Sequence, residues 1–223
     1  SVYINNAQIA GQVNPPSGWE YWCLEVDHYL PLIDQVIDQT TRRVFNGEKV
    51  PAAEKIVSLF EAYSDIIIKE SRDIQYGHKL NLSTGRSGRV LDGVIESGNP
   101  VDSEQFIPMV DRHIDRYGQA PRQVAADGGY ASKENLEAAK QRNISDVAFH
   151  KKKGLAILEM VKSTWVYRKL RNFRAGIEAG LSYLKRCFGL SRSNWKGLQH
   201  FKNYVWSSVV THNLVIMARL QAP

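Results

Sequence analysis

Gln123-Val124-Ala125-Ala126-Asp127-Gly128-Gly129-Tyr130 is the stretch on which the reading of the chain turns. Pro121 breaks whatever precedes it, and Gln123 to Ala126 then reads as a short strand ending at an acid. Two glycines follow, then a helix from Ser132 to about Arg142, then the strand-like Asp146-Val147-Ala148-Phe149. That is a β-α-β unit. In open α/β sheets the functional groups gather where strands end, which is where Asp127 stands. The glycines permit a sharp turn that would expose its carboxylate. The plainer alternative is an acid that starts a turn or caps the next helix.

Upstream, Asp65 to Lys69, His78 to Leu82 and Val90 to Ile95 read as three short strands. The last two are joined through Gly85-Arg86-Ser87-Gly88, a hairpin signal. Asp102-Ser103-Glu104 opens a helix by capping, with Phe106, Val110 and Ile114 inside and Gly118 as its stop. A helical pattern runs from Trp19 to Val44, with Trp22, Val26, Tyr29 and Ile33 at three- and four-residue steps. Residues 48–63 fit a helix or a short strand. From Ser163 onward the chain is helical, broken at Gly189 and near Gly197. Three strands followed by a β-α-β unit argue for an α/β fold, a mixed sheet flanked by helices with a helical segment before it.

Composition sets the outer limits. The 223 residues, 43% hydrophobic and 23% charged, describe a folded chain rather than a disordered one. A net charge of +6 permits a polyanionic partner without naming one. Cys23 and Cys187 cannot make a disulfide framework, which favours a reducing, cytoplasmic setting. No apolar run reaches the roughly 18 residues of a membrane span. The chain begins at Ser1 without a signal-peptide layout, and the expectation is that it starts inside a longer protein.

A second acid stands in the helix Phe173 to Lys185. At about 100° per residue, Phe173, Ile177, Leu181, Leu184 and Phe188 form one stripe, and Arg174, Glu178 and Lys185 fall within about 40° of one another beside it. Such spacing is also that of an ordinary Arg–Glu surface pair.

Taken together, Ala126-Asp127-Gly128-Gly129-Tyr130 and Arg174-x3-Glu178-x6-Lys185 resemble the insertion-sequence transposases with a DDE-type, RNase H-like catalytic domain. Tyr76-Gly77-His78-Lys79, Gly98-Asn99-Pro100-Val101-Asp102, Gly189-Leu190-Ser191-Arg192 and His212-Asn213-Leu214 follow that family in order. The branch most similar is the one termed "not classified yet", and the likeness runs from about Val50 to Leu220. It implies DNA transposition by phosphodiester hydrolysis and strand transfer. It also implies two Mg²⁺ or Mn²⁺ ions on three carboxylates, with Asp127 matching the second acid and Glu178 the third. Hard carboxylate oxygens suit that pair of ions. Arg174 and Lys185 match basic positions that meet DNA phosphates, as would Arg171, which stands where the family often has a tyrosine. Tyr167 projects to a similar helical angle one turn earlier. DNA as substrate, a homo-oligomer on paired DNA ends and a bacterial, nucleoid-associated location come with the resemblance.

No residue matches the family's first Asp, which lies on a strand before a helical stretch like 19–46. Asp65 could pose as it. The expectation is a carboxy-terminal portion of a transposase: residues 1–50 a helical segment, residues 51–223 a truncated catalytic domain. The alternative is a catalytically inactive remnant that still binds DNA; another nuclease or resolvase on the same fold is a third reading. Among weaker features, His150-Lys151-Lys152-Lys153 could meet phosphate or be a solvated loop. Arg186, Arg192, Lys196 and Lys202 add charge around Trp195 and Phe201, both expected in the core, and His78 is expected to be structural.

Overall fold

A computed structural model describes residues 17–68, 74–150 and 154–221. The chain divides into two compact units, Ser1–Lys79 with Trp195–Lys202, and Leu80–Asn194 with Asn203–Pro223.

In the first unit, helix α1 spans Gly18–Thr40. It starts because Ser17 and Glu20 cap each other: the Ser17 hydroxyl accepts the Glu20 N–H, and the Glu20 carboxylate accepts the Ser17 N–H at 2.7 Å. It unwinds through a wider turn, Thr41–Phe45. Residues 48–63 are largely irregular, with one 3₁₀ turn at Ala52–Glu54, and they are tied down by side chains instead. The Gln39 amide both donates to Ile56 O and accepts from Ile56 N, each at 2.9 Å. Strand β1, Asp65–Ile68, pairs antiparallel with β2, Ile74–Gly77. The sequence reading missed β2 because its only apolar signals are Ile74 and Tyr76, both of which stay exposed.

The second unit begins with an antiparallel hairpin of β3, Leu80–Thr84, and β4, Val90–Ile95, as expected. Helix α2, Asp102–Tyr117, ends on Gly118 in the left-handed conformation, φ 70°. Its start corrects the sequence reading. Val101 is the cap position with no side-chain cap, and Asp102 is the first helical residue. Strand β5, Gln123–Ala126, runs parallel to β6, Asp146–Phe149, and helix α3, Lys133–Gln141, capped by Ser132, joins them. A short helix α4, Ile157–Met160, leads to α5, Thr164–Cys187; helix α6 is Leu198–Gln221. The β-α-β unit is therefore present, while one mixed sheet is not seen among the described residues. Strands of only four to six residues form three separate pairs, β1–β2, β3–β4 and β5–β6.

Two apolar clusters hold the second unit. The larger sits around β6, whose Val147, Ala148 and Phe149 are fully buried, with Phe106 and Val110 from α2, Leu136 and Ala139 from α3, and Val166, Tyr167 and Leu170 from α5. The smaller joins Val90 of β4, Leu184 of α5 and Val209 of α6. Helix α5 thus enters one cluster with its first turns and the other with its last.

Two polar contacts fix the hairpin. The Asn213 side chain imitates a neighbouring strand, accepting the Val90 N–H at 2.9 Å and donating to the Val90 C=O at 2.8 Å. Asp92, 4% exposed, receives Arg112 through two nitrogens at 2.8 and 2.9 Å and Arg116 at 3.1 Å. Burial pushes the Asp92 carboxyl up, but the Arg112 hydrogen bonds, the Gly93 N–H and the two positive charges together leave it below its usual value.

Asn213→Leu should cost about 1–3 kcal/mol, because both Val90 backbone groups lose their partner; urea unfolding would measure it. Asp92 has a folded pKa below the unfolded one, so its contribution is complete above about pH 4 and is lost as pH falls through the folded value. Asp92→Asn should therefore be less stable than the parent at neutral pH and show a shallower loss in acid, read from unfolding midpoints between pH 2 and 7.

Candidate active site

Asp127 ends β5, and Gly128–Tyr130 form a 3₁₀ turn directly after it. Its Oδ1 accepts the Gly128 N–H at 2.6 Å, so the acid does serve as the cap of that turn. Neither glycine has a positive φ, so turn conformation is not what calls for them, and at Gly129 the reason is space. A Cβ on Gly129 would collide with the Asp102 carboxylate and lie 3.1 Å from Asp102 Cβ. Close approach, not turn conformation, excludes a side chain there.

Tyr130 fixes the far end of the turn. Its hydroxyl donates to Asn81 Oδ1 at 3.0 Å, and Asn81 Nδ2 donates to Glu96 Oε1 at 2.6 Å. Burial first, then the charges of Asp102, Asp127 and Glu96, push the phenol up to about 12. It stays a neutral donor across the working pH range. Asn81, a buried amide inside a strand, was not singled out by sequence reasoning; its polarity at an apolar strand position was the available signal.

Glu178 reaches the same place from α5. The first half of that helix is pinned by Tyr167, which is buried and donates to the Phe149 C=O at 2.9 Å. Two turns on, Arg174 Nη1 donates to Glu178 Oε1 at 2.5 Å, and Arg174 Nη2 lies 3.0 Å from Asp127 Oδ2. One guanidinium therefore touches both candidate acids. The Arg174 side chain is 15% exposed, whereas those of Asp127 and Glu178 are 53% and 60% exposed. The cation is tucked against the protein and the acids face outward.

The remaining candidates divide. Arg171 is exposed on the same helix with its guanidinium 5.9 Å from the Tyr167 ring, and Lys185 is exposed one turn beyond Leu181. Tyr167 is a core residue bonded to β6 rather than a group offered to a ligand. Asp65 pairs with His78 Nδ1 at 3.0 Å inside the first unit, and His78 stacks on Tyr63 and leans on Phe201, a structural histidine as expected. Trp195 is half exposed, contrary to its expected burial. Lys151, Lys152 and Lys153 lie outside the described residues. Cys23 and Cys187 are free and exposed.

A family model described as "Transposase DDE domain" matches residues 68–214. The chain belongs to this transposase family. Neither a curated protein nor a solved structure matches it. The matched region contains both acids, Arg174 and the Asn213 latch. The protein is an insertion-sequence transposase with a DDE domain, and its function is related to transposition. Transposases of this family generally use divalent metals such as Mg²⁺. Two carboxylates have the donor chemistry for such an ion. Among the described residues, however, no three His, Cys, Asp or Glu side chains converge as a metal-holding group. The pair fits part of a metal site and not the full two-ion set. No described helix is long and apolar enough to cross a membrane.

If close approach fixes the Asp127 turn, Gly129→Ala should destabilise by about 1–3 kcal/mol, as overpacking does. Adding Asp102→Ala should recover part of that loss in a double-mutant cycle. Additive effects would show that the two residues do not meet.

Proposed function

We propose that Asp127 and Glu178 are the second and third acids of a DDE catalytic site on an RNase H-like fold, and that the protein cuts and joins DNA phosphodiesters. The observation that carries this is the shared Arg174 guanidinium, which gathers two acids 51 residues apart onto one spot (178 − 127). Both would hold Mg²⁺ or Mn²⁺. When bound, such ions activate an attacking water or 3′-hydroxyl and stabilise the leaving oxygen. The chain's own contribution is positional. The turn after β5 aims Asp127, and helix α5 brings Glu178 beside it.

Arg174, Lys185 and Arg171 share one side of α5, close in angle to Glu178. They would meet DNA phosphates on either side of the scissile bond, which positions the strand without reading its bases. Assembly of two or more copies on paired DNA ends belongs to the same reading. A second reading, a catalytically inactive DNA-binding remnant, draws on the finding that no three His, Cys, Asp or Glu side chains among the described residues group so as to hold a metal.

Incubation of the full chain with supercoiled plasmid and Mn²⁺ tests the first reading. Weak nicking is expected, and Asp127→Ala and Glu178→Ala should each remove it; cutting that survives both sinks the assignment. Duplex binding should weaken steeply with salt. Replacing both Arg171 and Lys185 by Gln should lower the slope by about 0.9 for each phosphate no longer neutralised. Steep, metal-independent binding with no nicking at all would select the remnant, and binding indifferent to salt would remove DNA as the partner.

A further inference from the structure

We propose that Arg174 is an exchangeable internal cation of the acid pair, one that competes with a divalent ion for Asp127 and Glu178 and is drawn off by a DNA phosphate. The proposal rests on the reading of those two acids as metal-holding residues. It goes beyond that reading by linking the two ligands of the site through a single side chain.

Three carboxylate oxygens are engaged by the protein itself. Asp127 Oδ1 takes the Gly128 N–H, Asp127 Oδ2 faces Arg174, and Glu178 Oε1 takes an Arg174 N–H. Two of the three are held by one guanidinium. A divalent ion binds through the same lone pairs and brings a second positive charge next to Arg174, so the two cations oppose each other. The opposition is only partly screened: both acids open to solvent, but Arg174 itself is largely covered.

A phosphate changes the balance. Guanidinium presents five N–H donors in a planar fork that fits a phosphate bidentately, with charge-assisted bonds at least as strong as those to an exposed carboxylate. Arg174 is the residue placed to make that swap: a phosphate arriving over the outward-facing acids comes within reach of a guanidinium that already lies between them. Once Arg174 turns to the phosphate, the carboxylate oxygens are released for the metal. DNA and metal should then strengthen each other's binding by the same factor, since coupling between two sites is reciprocal. Such a device delays assembly of a cutting site until DNA is in place.

Mn²⁺ binding to the full chain, followed by loss of the free-ion electron paramagnetic resonance signal, tests this without any measure of cutting. Arg174→Gln should bind Mn²⁺ about fivefold or more tightly than the parent, the low end of ordinary site-to-site coupling. Arg174→Lys, which keeps the charge but not the fork, should fall between them. A short duplex should tighten Mn²⁺ binding in the parent and leave Arg174→Gln unchanged, with circular dichroism showing that both variants are folded. Equal Mn²⁺ affinity in the parent and Arg174→Gln overturns the exchange, as does weaker binding in the variant, which would make Arg174 a support for the acids. Mn²⁺ binding that persists in Asp127→Asn/Glu178→Gln removes the acid-pair reading itself, and the absence of any Mn²⁺ binding in Arg174→Gln removes both.

Discussion

Helix α5 can carry Glu178 to Asp127 because its first turns are locked to the β5–β6 pair. The lock is specific: Tyr167 is buried against the core and its hydroxyl satisfies the Phe149 C=O at the end of β6. Val166 and Leu170 complete the seat. With that end fixed, the rise of the helix sets where the residues two and three turns later emerge. Arg174 and Glu178 emerge beside the end of β5. If Tyr167 were exposed and mobile, the same sequence would place its acid anywhere along an arc.

The far end of α5 is fixed independently. Leu184 packs with Val90 and Val209, and Asn213 holds Val90 through both of its backbone groups. The helix is therefore clamped at each end by a different cluster, while its middle, where Glu178 sits, is open to solvent. In the proposed site, the rigid ends would position the acid and the uncovered middle would leave room for DNA. A groove of about 360 Å³ along another flank of the same stretch, between the Gly85–Gly88 turn and Gly176 and Gly180, shows how little side-chain bulk covers the middle of this helix.

Charge accounts for the rest of the local geometry. Two outward-facing carboxylates would repel if left alone, and Arg174 between them removes that repulsion. The energy of such a half-exposed arrangement is small, of order 1 kcal/mol for each exposed pair. An interaction of that size can be exchanged for another one. Asp92 with Arg112 and Arg116 makes the contrast: its carboxylate is buried, and removing the arginines would leave that charge uncompensated. The first arrangement fits a switchable site and the second fits a structural joint.

Local signals in the sequence determined most of the elements: the capped starts at Ser132 and Ser163, the stop at Gly118, the β3–β4 hairpin and the β-α-β unit around Asp127. Both acids were legible too, because each belongs to a short motif on its own element. Only the tertiary structure decided that the two motifs meet, since residues 51 apart share no periodicity that a sequence could display. It also decided that Gly129 answers to Asp102, that Tyr167 belongs to the core, and that Asp65 is held by His78. Each of these depends on which distant atom fills the neighbouring space, and packing of that kind is settled by the folded chain as a whole.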